Sequence, residues 1–148
     1  MKGCRLINYL CTELNSEIVM INGGCLCGAV KYEISGAVGD IVHCHCKTCR
    51  KAHGSAFSSV AAVADNDFNL LSNDSLNSYE SSAGKHRYFC AECGSQVYAK
   101  RESTEHIILR LGSLDDDIVS LEKEHIWVSE KANWYCIDSQ LPQREKFE

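Results

Sequence analysis

Seven cysteines of this chain lie in three tight clusters. The clusters are Cys25-Leu26-Cys27, Cys44-His45-Cys46-Lys47-Thr48-Cys49 and Cys90-Ala91-Glu92-Cys93. Thiols at such spacing are typical metal ligands; structural zinc takes four tetrahedral ligands, whereas catalytic zinc takes three protein ligands and keeps one position open. Seven thiols divide into four and three, so the sequence predicts one closed and one open zinc site.

Two of the clusters have the form expected for the closed site. Cys90 and Cys93 are separated by two residues, and Cys25 and Cys27 by one, and a glycine directly follows each pair. A glycine permits the positive φ that a tight turn around a metal ion needs. Two such pairs far apart in the chain would hold distant strands together around one structural ion.

The remaining cluster is the candidate for the open site. Cys44, Cys46 and Cys49 supply three thiolates from one short segment, which leaves the other side of an ion free for water or substrate. Soft thiolate ligands favour a thiol as the fourth ligand, and a neighbouring aldehyde would then form or release a hemithioacetal. Carbon–sulfur bond chemistry is therefore predicted. The alternative is a fourth protein ligand that closes the site, for which the candidates are His43, His45, His53 or an aspartate.

Short predicted strands connect these clusters. In Ala29–Ile34 the side chains of Val30, Tyr32 and Ile34 alternate with charged ones, which is typical of a strand with one buried face. Further strands are predicted at Ser55–Val63, Phe68–Leu71, Leu76–Glu80, Arg87–Cys90, Gln96–Ala99 and His106–Leu111. We expect a mainly β fold in a single domain.

Helices are predicted to be few and short. A helix at Lys47–His53 would end at Gly54, which acts as a C-terminal cap, and would carry Cys49. Asp115–Glu124 is predicted to form another helical turn. Residues 1–19 differ in pattern from the rest of the chain. They are either an added N-terminal arm or the result of a start codon assigned too early. Residues 20–148 are predicted to be the zinc-binding domain.

Composition narrows the class of protein. A net charge of −5 over 148 residues argues against a nucleic-acid binder, which normally presents a basic face. The ten cysteines would suggest disulfides in a secreted protein, but Cys-x-Cys pairs disfavour them and no signal peptide is recognisable. No apolar stretch approaches the roughly 20 residues that span a bilayer. We therefore expect a cytoplasmic protein with no membrane and no nucleic-acid partner, and of undetermined oligomeric state.

The order and spacing of the three motifs resemble those of a known family. Gly24–Val30, Cys44–Lys51 and Phe89–Ser95, with a closing segment around Trp127 and Trp134, are similar to the family of glutathione-dependent formaldehyde-activating enzymes, which includes centromere protein V. The resemblance implies a β-tent fold of several small antiparallel sheets with short helices. It also implies two zinc ions, a structural one held by Cys25, Cys27, Cys90 and Cys93 and a catalytic one held by Cys44, Cys46 and Cys49.

The activity implied by the resemblance is the condensation of formaldehyde with glutathione, formally a carbon–sulfur lyase reaction. Glutathione carries two carboxylates, so cations near the open site are candidates for binding it. Lys47, Arg50 and His53 are the predicted substrate-binding residues; further cations nearby are Lys51, Lys85, His86 and Arg87. Two alternatives remain: a zinc-stabilised binding module without catalysis, and a thiol redox or zinc-sensing protein.

Overall fold

The computed structural model describes residues 19–147, so the predicted N-terminal arm lies, apart from its last residue, outside the described range. Within that range ten strands form two sheets, accompanied by one α-helix and three short 3-10 turns. The elements are β1 (Ile21–Gly24), β2 (Lys31–Ile34), β3 (Ile41–Cys44), α1 (Lys47–His53), β4 (Ser58–Ala64), β5 (Phe68–Ser72), β6 (Leu76–Ser82), β7 (Lys85–Cys90), β8 (Gln96–Arg101), β9 (His106–Arg110) and β10 (Glu122–Ile126).

The smaller sheet is antiparallel, with strand order β1-β2-β5. Val30, Tyr32 and Ile34 are fully buried, whereas Lys31 is exposed and Glu33 half-buried. The alternation predicted for this strand is therefore confirmed. One face of the smaller sheet packs into the protein core and the other meets solvent.

The larger sheet has the strand order β10-β3-β4-β9-β8-β7-β6. Its pairs are antiparallel except β10 with β3, which are parallel. Tyr98 and Leu109 are directly paired and buried, and Phe68 bridges the two sheets with its ring centroid 5.0 Å from those of Tyr32 and Tyr98. The main hydrophobic core lies between the sheets on this face.

The opposite face of the larger sheet carries polar and sulfur-containing residues. Directly paired residues of an antiparallel sheet point to the same face, and residues two apart along a strand do so as well. The register pairs Cys44 with Ser58 and Val60 with Arg110. Cys44 and Arg110 therefore share the face that points away from the main core.

Helix α1 begins and ends at the predicted residues, Lys47 and His53. Cys46 is its N-cap, with its sulfur accepting a hydrogen bond from the Cys49 amide, and Gly54 closes it in the left-handed conformation at φ 59°. The helical turn predicted for Asp115–Glu124 is wrong. That segment has no helix and leads into β10, because its last residues pair with β3.

The prediction of a mainly β fold with antiparallel sheets is confirmed, although the larger sheet has seven strands and one parallel pair rather than being small. Three strands were not predicted: β1, β3 and β10. The last lacks an apolar alternation, since its buried Glu124 and His125 are polar and contact Arg144 and His45. No helix within residues 19–147 is long and apolar enough to cross a membrane.

Candidate metal centres

Four cysteine sulfurs converge at one point, although they come from distant parts of the chain. Those of Cys25, Cys27, Cys90 and Cys93 all lie within 4.8 Å of one another. The Cys25–Cys27 distance is 3.5 Å and the Cys27–Cys90 distance is 3.8 Å. Tetrahedral zinc with Zn–S bonds of about 2.3 Å requires sulfurs about 3.8 Å apart. This first thiol group therefore fits a closed zinc site.

Two tight turns give the first thiol group its shape. The Gly28 amide donates to the carbonyl of Cys25 at 3.1 Å, and the Gly94 amide donates to that of Cys90 at 2.8 Å. Both glycines have positive φ, 79° and 75°. Residues that carry a side chain rarely adopt a positive φ. The glycine after each cysteine pair therefore lets the backbone fold around the sulfurs.

Neutral donors surround the sulfurs of the first thiol group. The Val30 amide donates to Cys25 Sγ at 3.2 Å, and Ser95 Oγ lies 3.2 Å from Cys93 Sγ while accepting from the Leu26 amide. Hydrogen bonds from the side chain and backbone of Ser95 lower the pKa of Cys93 to about 5. These donors favour thiolates, the form that binds metal.

The second thiol group comes from one continuous segment. Cys44 ends β3, Cys46 caps α1 and Cys49 lies within α1; their sulfurs are all within 4.8 Å of one another. The turn from strand to helix brings the three sulfurs close together. Among the described residues, no histidine, aspartate or glutamate completes this group to four. The arrangement fits a metal ion held by three thiolates.

The second thiol group lies in a small hydrophobic cluster of its own. Cys44 and Cys49 are buried with Ile126, and Trp127 packs against them. Trp127 is the one non-glycine residue among 19–147 with positive φ, 57°. Bulky residues adopt this conformation only where packing holds them there, so the wall of the site is a fixed surface.

Two buried arginines face the second thiol group. Both terminal nitrogens of Arg87 lie 3.9 Å from Cys49 Sγ, and Arg110 is buried nearby at the end of β9. Hydrogen bonds from Cys44 and Cys46 lower the pKa of Cys49, and the charges of Arg110 and Arg87 add to that effect against burial. The residue missed from sequence is Arg110; its signal was a charge directly after the apolar run of Ile107, Ile108 and Leu109.

Three buried histidines, His43, His45 and His125, cluster next to the strand pair β3 and β10. His45 Nε2 and His125 Nδ1 are 2.8 Å apart, and His43 contacts Ser59 and Glu122. Burial, then the charges of His125 and His43, lower the pKa of His45 to about 4. None of the hydrogen bonds described for His43 or His45 goes to a thiol, and within residues 19–147 neither histidine belongs to the second thiol group.

The predicted substrate-binding residues lie at different places around α1. Lys47 lines an open cleft of about 590 Å³ together with Lys51 and Arg87. His53 lines a second cleft of about 630 Å³, with its Nδ1 2.8 Å from the carbonyl of Cys49. The linings of these two clefts do not include Arg50, whose charge contributes to lowering the pKa of His45.

Comparison with known proteins identifies the family. The family described as glutathione-dependent formaldehyde-activating enzyme matches residues 20–130. The chain belongs to this family. The matched region contains both thiol groups, α1 and every strand of the two sheets. The resemblance read from the three cysteine motifs is thereby confirmed.

Relatives with the same family name occur in fungi. The chain is 28% identical to one from Aspergillus flavus and 31% identical to one from Podospora anserina, each over 114 residues. These alignments cover 74% of this chain and 53% and 48% of the two relatives, so the chain spans about half their length. It is also 32% identical over 76 residues to an uncharacterized lyase of Schizosaccharomyces pombe, covering 51% of this chain and 54% of that protein.

A solved structure shares the fold. A crystal structure of a Rhodobacter sphaeroides protein superposes with a TM-score of 0.55 at 24% identity, covering 66% of this chain and 90% of that one. The likeness concerns the arrangement of strands and carries no statement about activity.

Proposed function

We propose that the protein is a zinc-dependent carbon–sulfur lyase-like enzyme acting on the adduct of a small aldehyde with glutathione or a similar thiol. The observation that carries this proposal is the second thiol group, a set of three sulfurs within 4.8 Å of one another with no fourth ligand among the described residues. Arg87, which contacts Cys49, lines one open cleft, and Arg110 lines the other. Family membership supports a lyase-type reaction with glutathione.

The two thiol groups have different roles in this proposal. Cys25, Cys27, Cys90 and Cys93 hold a structural zinc that joins the two pairs; Cys44, Cys46 and Cys49 hold the catalytic zinc. Zinc at the second group would supply a positive charge that favours the thiolate form of a substrate thiol. Cys44 and Cys49 are buried, which limits their contact with water, and a ligand set of three would leave the fourth position of the ion to substrate sulfur.

Binding of glutathione is proposed to use the cations around α1. Lys47, with Lys51 in the same cleft, would bind one carboxylate, and His53 lines the neighbouring cleft. Arg50, which lies on α1 as well, is also proposed to bind the substrate. Since seven clustered thiols persist unoxidised in a reducing compartment, the domain of residues 20–148 is proposed to work in the cytoplasm.

Metal content and thiol binding test the proposal together. The purified protein is expected to hold two zinc ions per chain by elemental analysis. Calorimetry is expected to detect binding of glutathione to the wild type and no binding to Cys49→Ser. Proton NMR is expected to show faster formation of the glutathione–formaldehyde adduct than in buffer. One tightly held ion without thiol binding would instead indicate a binding module, and thiols that oxidise reversibly without metal would indicate a redox protein.

A further inference from the structure

Two buried cations beside the second thiol group have no carboxylate partner within residues 19–147. Arg87 is 6% exposed and Arg110 is 4% exposed. Among the described residues neither guanidinium forms an ion pair, and the Nε of each is buried without a hydrogen-bond partner. Burying a charge without a partner is costly, so an anion of the second thiol group must supply the compensation.

The strand register places both arginines on the face that carries Cys44. Arg87 on β7 is paired with Ala99 on β8, and Ala99 is paired with Ile108 on β9. Directly paired residues share a face, and Ile108 and Arg110 share it as well because they are two residues apart. The two cations thus reach the same side of the sheet from two strands.

Both arginines act on the thiols, each in its own way. Arg87 presents both terminal nitrogens to Cys49 Sγ at 3.9 Å, the fork geometry with which guanidinium binds an anion. Burial lowers the pKa of Arg110; the charge of Cys49 raises it, that of Arg87 lowers it, and those of Cys44 and Cys46 raise it. A guanidinium stays protonated at any pH the protein meets, so both charges are permanent.

Charge counting distinguishes the possible fourth ligands. A divalent ion with three thiolates carries a net charge of about −1. A fourth thiolate makes the total about −2, whereas water or another neutral ligand leaves it unchanged. Two guanidinium groups match the charge of the four-thiolate state. With a neutral fourth ligand, one of the two buried cations would be left without a counter-charge.

We propose that Arg87 and Arg110 are positioning residues that select an anionic thiolate, over a neutral ligand, at the open position of the second thiol group. The inference rests on the proposed function, in which this group holds a metal ion and a substrate thiol. The new element is that two permanently charged arginines, which are not metal ligands themselves, select the thiolate. The chemical class selected is the thiolate sulfur itself, independent of any carboxylate the thiol carries.

Ligand titration of the cobalt-loaded protein tests this inference. Cobalt(II) in place of zinc gives visible absorption that changes with its ligands, so titrations with 2-mercaptoethanol and with imidazole give a Kd for each without an activity assay. The first probe is a thiol without a carboxylate; the second is a neutral ligand. Arg87→Met and Arg110→Met are each expected to weaken 2-mercaptoethanol binding by about tenfold or more and to change imidazole binding by less than about twofold.

Matched variants separate charge from shape and from folding. Arg101→Met removes an exposed arginine of the neighbouring strand β8 and is expected to bind both probes like the wild type. Arg110→Lys keeps the charge and is expected to restore most of the thiol affinity. Arg87→Lys keeps the charge but loses the two-nitrogen fork, so it is expected to restore only part of it. Thermal unfolding and metal content are measured for every variant.

Several outcomes would overturn the inference. Thiol affinity within twofold of the wild type in both methionine variants would do so, as would equal weakening of both probes, which indicates general damage. Loss of the second metal ion from a methionine variant would show that the arginines serve the metal site itself. If the wild type binds no thiol, the proposed function fails too; if it binds thiol and the variants bind equally well, only this inference fails.

Discussion

The sulfurs of the two thiol groups differ in the donors around them. In the first group the donors are neutral: the Val30 amide for Cys25 and the Ser95 hydroxyl for Cys93. In the second group the donor to Cys49 is the charged guanidinium of Arg87. Neutral donors suit a site that only holds an ion, whereas a charged donor favours a site whose total charge changes when a ligand binds.

Serine replacements are expected to separate the two roles. Cys90→Ser should lower the free energy of unfolding by several kcal/mol, because it removes one of four ligands in a group that joins distant segments. Cys49→Ser should leave the free energy of unfolding near that of the wild type and abolish turnover of formaldehyde with glutathione.

Chemical denaturation and an NMR assay of adduct formation measure the two effects. The control is Cys136→Ser, since Cys136 is exposed and lies outside both thiol groups. Equal loss of stability in Cys90→Ser and Cys49→Ser would contradict the division between a structural and a catalytic group.

At the scale of elements, the short helix α1 is the part that builds the second site. Its seven residues are too few to be stable alone, so its ends and its packing hold it in place. Cys46 caps the N-terminus, and the Gly54 amide donates to the carbonyl of Arg50 at the C-terminus. The cap residue Cys46 is also one of the three thiols, so the helix start and the candidate metal ligand are the same residue.

Gly54→Ala is expected to lower the free energy of unfolding by about 1 kcal/mol. Gly54 has a φ of 59°, and a Cβ there would meet no heavy atom within 4 Å, so the cost is purely that of the backbone conformation. Gly112→Ala is the matched control, since that site is equally open and φ is not positive. Urea denaturation measures both, and an equal effect of the two substitutions would contradict the role of the cap.

At the scale of the whole molecule, a buried hydrogen-bond chain connects the two sheets. Tyr32 of the smaller sheet is fully buried, and its hydroxyl donates to Ser113 Oγ at 2.9 Å. Ser113 Oγ in turn donates to the carbonyl of Arg110 at 2.7 Å. The small sheet thereby supports the backbone of a residue that faces the second thiol group.

Tyr32→Phe is expected to lower the free energy of unfolding by about 1 kcal/mol because it removes one buried hydrogen bond at nearly constant shape. For a chain of this size the melting temperature should fall by roughly 2–4 °C in calorimetry. Tyr79→Phe, at an exposed tyrosine of β6, is expected to leave the melting temperature unchanged. Equal melting temperatures for the two variants would show that the connection between the sheets contributes nothing to stability.

Much of this protein follows from its sequence by short-range rules. The thiol spacing and following glycines predict the local turns, and the strand at Val30, Tyr32 and Ile34 follows from its alternation. Helix α1 follows from its cap at Gly54. Each depends on geometry within a few residues, which sequence patterns express directly. The family likewise follows from the order of the three cysteine motifs.

What only the tertiary structure decided depends on pairing between distant segments. β10 exists because β3 lies beside it and because Glu124 and His125 find buried partners there, which no local pattern reveals. Arg87 and Arg110 read in sequence as surface charges at strand positions, yet the register of the larger sheet buries both on the face that carries Cys44, with Arg87 against Cys49. Spacing along the chain shows which thiols act together, whereas the charges that face them are set by strand register, a property of the folded sheet.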